Sequence, residues 1–143
     1  MQKTEVFFQH LDKPDRIEGI ARLLLKRGRV HPSVLVLCPD DLVMTALDER
    51  LWTISADSFL AHGIDRQQFE QNAAQPILLS TSIVHDNKAQ VLINAGCEVP
   101  PDLNGFVHIV DFVDGWDEQL LQMSRARFRS YQQLDMTLTY LKK

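Results

Sequence analysis

At 143 residues the chain has the length of one domain, here taken as residues 1–143, and it can bury a sizeable core. Its apolar and charged fractions are those of an ordinary globular protein, and its formal net charge of -4 argues against a surface that binds DNA non-specifically as a whole. A local basic patch stays open, whereas two cysteines, Cys38 and Cys97, beside apolar runs suit a reducing cytosol better than a disulfide scaffold.

The opening Met1-Gln2-Lys3-Thr4-Glu5 has no signal-peptide pattern and no run approaches a membrane span, so a cytoplasmic protein without a membrane partner is expected. Val6-Phe7-Phe8 reads as the first strand. Asp12 and Pro14 signal a helix start, and Ile17, Ile20, Ala21 and Leu24 give that helix an apolar face. Lys26-Arg27-Gly28 reads as its end. Val34-Leu35-Val36-Leu37 is uninterrupted and apolar, as a strand covered on both faces would be.

Asp40 is placed to cap a second helix, with Val43, Ala46, Leu47 and Leu51 on one side. A polar stretch from Asp65 to Gln75 precedes two further strands, Ile77-Leu78-Leu79 and Val91-Leu92-Ile93. The loop Val99-Pro100-Pro101-Asp102 leads to Phe106-Val107-His108-Ile109-Val110, the last clear strand. A helix from about Asp117 to Leu134 follows, and Thr137-Leu138-Thr139-Tyr140 suggests a short terminal strand. Alternating strands and helices predict an α/β fold: a single-domain, open, mostly parallel twisted sheet flanked by helices, Rossmann-like but without a nucleotide-binding loop.

Sheets of this kind take ligands at the carboxyl ends of their strands, yet G-x-x-x-x-G-K-[ST] and G-x-G-x-x-G are both absent. No cofactor is expected. The five histidines form no His-x-x-x-His pair, and the cysteines form no Cys-x-x-Cys pair, so no metal is expected either. Cys38, next to Pro39, occupies a position a nucleophile could take, but no flanking motif supports that and a buried inert thiol is the better reading. Asp40, Asp41, Asp48 and Glu49 read as caps and helix surface. No catalytic residue emerges.

The last helix is different. Arg125, Phe128, Arg129 and Gln132 fall at i, i+3, i+4 and i+7 and share a face. Two guanidinium groups flanking an aromatic ring suit a carboxylate, with an apolar group resting on the ring, or a phosphate. A solvated helix face with one half-buried Phe remains the plainer reading. Trp52, Phe59 and Leu60 are large apolar groups among polar neighbours. They either plug a sheet edge or anchor a partner.

Several segments together resemble the chi subunit of bacterial DNA polymerase III. They are Leu47-Asp48-Glu49-Arg50-Leu51-Trp52, Asp57-Ser58-Phe59-Leu60-Ala61-His62-Gly63, Gln75-Pro76-Ile77-Leu78-Leu79, Val91-Leu92-Ile93-Asn94 and Glu98-Val99-Pro100-Pro101. Val110-Asp111-Phe112-Val113 and Arg125-Ala126-Arg127-Phe128-Arg129-Ser130-Tyr131 complete the match, which runs over nearly the whole chain in one order.

The resemblance implies a non-enzymatic accessory subunit of the replicative DNA polymerase complex, attached to its clamp loader and lacking a bound nucleotide. It implies pairing with a small psi subunit through Trp52 and Phe59, a surface for which a helicase-like partner competes in some members. It also implies docking of the acidic C-terminal tail of the single-stranded DNA-binding protein against Val113, Arg125, Phe128 and Arg129, with nucleic acid engaged mainly indirectly. Asp114-Gly115-Trp116-Asp117 departs from the family pattern by an extra residue and an Asp where Pro can stand. Asp114 would repel an acidic tail if it faced the site, and Trp116 would enlarge its apolar wall.

Two rival readings follow from the residues alone. One is a nucleotide- or phosphate-binding α/β enzyme with a strand-end site near Asp12, Cys38 and Asp111. The other is a direct single-stranded DNA-binding module using Arg125, Arg127 and Arg129, which the acidic total disfavours.

Overall fold

Apolar runs separated by helices cannot meet through tight turns, so they pair in parallel through crossovers. The computed structural model describes residues 3–27, 33–55 and 60–141, and every strand pairing in it is parallel. In chain order the elements are β1 (Glu5–Leu11), α1 (Arg16–Arg27), β2 (Val34–Leu37), α2 (Asp41–Thr53), β3 (Gly63–Ile64), α3 (Phe69–Ala73), β4 (Ile77–Ser80), β5 (Val91–Asn94), β6 (His108–Asp114), α4 (Glu118–Gln133) and β7 (Thr137–Leu141). The strands make one seven-stranded sheet in the order β3-β4-β2-β5-β6-β1-β7, the α/β architecture that the alternating pattern predicts.

Successive strand residues point to opposite faces, and this divides the core in two. Val34, Val36, Ile77, Leu79, Val91, Ile93 and Phe112 pack with Ile20, Ala21 and Leu24 of α1 and Leu47 and Leu51 of α2. Val6, Phe8, Leu35, Leu37, Leu78, Leu92 and Ile109 face the other way, against Tyr131 and Phe128 of α4. Each fully buried Leu, Ile or Phe side chain stabilises the fold by roughly 1.5–3 kcal/mol. Asp40 caps α2 as the sequence suggests, and Asp117 caps α4. Asp40 Oδ1 accepts from Val43 N–H at 2.8 Å, and Asp117 Oδ2 accepts from Leu120 N–H at 2.9 Å.

Two expectations differ from the structure, and one short helix is new. Ala46 is exposed, because the buried stripe of α2 runs through Leu47 and Leu51. The polar stretch from Asp65 to Gln75, given no element from the sequence, contains α3, held by buried Asn72, whose Nδ2 donates to Asp65 at 2.7 Å and Asp86 at 2.9 Å. The last central strand starts at His108 rather than Phe106 and continues to Asp114. Phe106 instead fills the α4-side core from the preceding loop. Gly28, read as a helix end, and Phe59 lie outside the described residues.

Candidate functional site

The location of α4 is set by a buried polar network on β6. Period-two alternation along β6 turns Asp111 to the α4 face with Ile109 and Val113. Arg127 Nε donates to both Asp111 oxygens, at 3.2 and 3.1 Å, and Tyr131 O–H donates to Oδ2 at 2.9 Å. Phe112 N–H donates to Oδ1 at 2.6 Å. Arg127 Nη2 also reaches Phe112 O at 3.0 Å. Asn94 Nδ2, at the end of β5, donates to the Tyr131 hydroxyl at 3.2 Å. Burial pushes the Asp111 carboxyl upward, while the Arg127 charge and these donors pull against that shift. Ser124 Oγ accepts from Asp114 N–H at 3.2 Å and donates to Leu120 O at 2.9 Å, which closes the helix onto the strand.

With Arg127 and Tyr131 turned inward, helical geometry carries Arg125 to the outside and Phe128 to the edge of the sheet. Arg125, Phe128 and Val113 line one groove of about 320 Å³ between α4 and the carboxyl ends of β6, β1 and β7. Phe8 and Leu121 make its apolar floor, while His10, Gly115 and Tyr140 close the sheet side. The Phe128 ring packs on Phe8 at 5.3 Å between centroids, and Phe8 meets Tyr131 edge-on at 5.7 Å. Arg129 is exposed on the same helix, beyond this lining. A guanidinium at the rim of an aromatic-floored groove can pair with a carboxylate while an adjoining apolar side chain rests on the ring.

The same alternation decides the departure at Asp114. Asp114 shares its face with Phe112, opposite Val113, and its buried carboxylate pairs with Arg16 of α1, whose guanidinium lies 5.5 Å from the Phe112 ring centre. Trp116 follows it to that side. With Ile17, Leu120 and Met123 it borders a separate groove of about 300 Å³. Neither Asp114 nor Trp116 lines the groove that holds Arg125, so the repulsion and the enlarged wall do not arise there.

That second groove occupies the carboxyl ends of β1, β5 and β6, the usual ligand position in such sheets. The residues of the enzyme reading are otherwise engaged. Asp12 is exposed and accepts from His10 Nε2 at 2.8 Å. Cys38 is buried, and burial pushes its thiol up to about 12. Asp111 belongs to the network above. Among the described residues no group of three or more His, Cys, Asp or Glu could hold a metal ion, and no helix is long and apolar enough to cross a membrane. Arg127, counted with Arg125 and Arg129 as an outward charge for DNA, is in fact buried against Asp111.

Trp52, on the last turn of α2, is 56% exposed. Its ring lies 4.9 Å from that of His62, which is buried and fixed by Leu60 O at 2.8 Å and Asp48 Oδ1 at 3.0 Å. Trp52, His62, Asp48, Arg66 and Gln71 border a hollow of about 490 Å³ beside β3.

Helical spacing singles out Arg125 and Phe128, and the resemblance adds Val113; neither points to Phe8 and His10 of β1 or Tyr140 of β7, which line the same groove. The signal for the buried network is present, because Arg127 and Tyr131 are four apart and Asp111 alternates with Ile109 and Val113.

Residues 3–139 match the family described as DNA polymerase III chi subunit, HolC. The chain is 27% identical over 122 residues to the DNA polymerase III subunit chi of Pseudomonas aeruginosa, covering 85% of this chain and 82% of that one. It is 27% identical over 135 residues to the same subunit of Escherichia coli (strain K12), covering 87% and 88%. Solved structures extend the likeness in fold alone. The crystal structure of T4 UvsW superposes with a TM-score of 0.64 at 12% identity, over 99% of this chain and 41% of that one. The C-terminal domain of S. cerevisiae Dbp5 gives 0.60 at 12%, over 99% and 90%.

Proposed function

Because this chain belongs to the DNA polymerase III chi subunit family, we propose that it acts as a non-catalytic, single-domain replication adaptor. In this reading it links the polymerase to the single-stranded DNA-binding protein by docking that protein's acidic C-terminal tail. The groove that unites Arg125, Phe128 and Val113 is the observation that carries the reading. The terminal carboxylate of the tail pairs with Arg125, and its last apolar side chain packs on Phe128 and Val113. Arg129 adds attraction from outside the lining.

One charge-assisted hydrogen bond contributes about 1.5–3 kcal/mol net. With one covered ring and the cost of ordering the peptide, that corresponds to an affinity on the order of micromolar. Such a contact weakens with salt and suits a subunit tethered in a large assembly, where several weak contacts act together.

The second proposed surface is Trp52, with Phe59, for the psi subunit, and a helicase-like competitor would meet the same residues. Exposure of Trp52 at a hollow bordered by polar groups supports that reading. The experiment is titration of a labelled tail peptide against wild type and Arg125→Ala. A loss of about tenfold or more is expected, and equal affinity for both proteins would remove the groove from consideration.

A further inference from the structure

The groove contains a polar cluster that the tail-docking reading does not use. His10 on β1 is largely buried, its side chain 18% exposed. Its Nε2 lies 2.8 Å from Asp12 Oδ1, and its Nδ1 lies 2.7 Å from the Tyr140 hydroxyl on β7. The two rings meet edge-on at 6.0 Å. Gly115 gives the imidazole its room, for a Cβ there would overlap the ring.

The tautomer follows from the partners. An ionised carboxylate only accepts, so Nε2 carries the proton, and in the neutral ring Nδ1 must then accept from Tyr140 O–H. The hydroxyl hydrogen is thus directed inward and is withheld from the groove. Protonating Nδ1 reverses this bond. The imidazolium donates to the Tyr140 oxygen, and the hydroxyl hydrogen is released to point elsewhere.

Resting on the tail-docking reading, we propose that His10 and Tyr140 form a second anion-recognition point in this groove. A protonated His10 frees the Tyr140 hydroxyl to donate to a further carboxylate of the acidic peptide. The groups around the imidazole are consistent with this coupling. Asp12 meets it from the end of β1 and Tyr140 from β7. α4 offers Arg125 as the charged group of the lining, and β6 offers uncharged Val113 and Gly115, its Asp114 being turned to Arg16.

Histidine is the side chain that ordinarily changes charge between about pH 5 and 8, while arginine stays charged and aspartates stay ionised across most of that span. A bound carboxylate favours the imidazolium, so peptide binding takes up a proton and tightens as pH falls. Linkage between two bound species is typically about 5–150-fold.

The probe is a fluorescently labelled, aspartate-rich peptide with an apolar C-terminal residue and a free α-carboxylate. It is titrated at the upper and lower ends of the histidine range against the full chain. Wild type should bind at least about fivefold tighter at the lower pH. His10→Gln keeps a donor for Asp12 and an acceptor for Tyr140 without the charge, and should bind equally at both. Tyr140→Phe should lose most of the gain at low pH. A wild type without pH dependence, or a His10→Gln protein with the wild-type dependence, overturns the proposal. If Arg125→Ala still weakens binding by about tenfold or more in that case, the docking reading survives and only the proton coupling falls. A wild type that binds no peptide at either pH overturns both.

Discussion

Arg127 lies along the Asp111 carboxylate, its Nε 3.2 and 3.1 Å from the two oxygens, with both side chains withdrawn from solvent. The pair joins α4 to β6, and the outward residues of the helix are placed by what this pair holds inward. Removing one member of a buried pair strands the other charge at a cost of about 3–5 kcal/mol. Arg127→Met should therefore lose stability on that scale in urea unfolding. Adding Asp111→Asn to it should restore part of the loss, since the stranded carboxylate is gone. A double variant as unstable as the sum of its singles would show that the two residues do not act as a unit.

Much of this fold is legible in the chain. Val34–Leu37 and Val91–Ile93 are continuous apolar runs, and they are the buried parallel strands that such runs suggest. The end of β6 was not legible, because Asp111 and Asp114 interrupt its apolar pattern. Each is neutralised by a partner remote in sequence, Arg127 and Arg16, and one sequence gives no such distance. The groove was half legible for the same reason. Arg125 and Phe128 announce themselves by helical spacing, whereas Phe8, His10 and Tyr140 join them only through the parallel alignment of β1 with β6 and β7.

The two exposed arginines of α4 should not contribute equally to peptide binding. Arg125 borders the groove and Arg129 does not. Arg129→Ala is expected to weaken binding by less than about threefold, with the effect fading at high salt, as for a rim charge. Arg125→Ala should cost about tenfold or more at low salt. Fluorescence anisotropy across a salt series separates the two, and a larger loss at Arg129 would move the contact outward along the helix.

Phe128 serves both core and groove. Its ring packs on Phe8 and is only partly buried, so Phe128→Ala should cost about 1–3 kcal/mol in stability and also lower peptide affinity. Phe128→Leu keeps most of the apolar volume and should recover more stability than binding. Thermal denaturation beside peptide titration tests that order.

Acid stability offers a separate check on the other face. Glu18 of α1 accepts from Arg50 of α2, Nε at 2.6 Å and Nη2 at 3.0 Å, and from Arg22 Nε at 2.7 Å. The Arg50 hydrogen bonds foremost, with help from Arg22, bring its carboxyl from 4.5 down to about 2. A lowered acid stabilises the fold fully above its unfolded value and loses that contribution as pH falls toward its folded one. Between pH 4.5 and 2 wild type should therefore lose stability more steeply than Glu18→Gln. At neutral pH the variant should be the less stable, by about 1 kcal/mol or less given partial exposure. Parallel slopes in acid would assign the loss to other carboxylates.

Trp52→Ala should leave peptide binding untouched and change stability by less than about 1 kcal/mol, as expected for an exposed side chain. Co-purification with a psi subunit should nevertheless fail. Retained psi binding together with wild-type stability would exclude Trp52 as an anchor.

The strand order has a mechanical consequence. The hollow at Trp52 adjoins β3, at one margin of the sheet, and the groove at Arg125 opens beside β1 and β7, at the other. Six strand-to-strand steps separate the margins, roughly 29 Å at the usual spacing. Two occupants at that separation need not collide or exchange places. One hydrogen-bonded sheet spans the distance between them, so a load shared by the two proposed contacts would run through that single sheet.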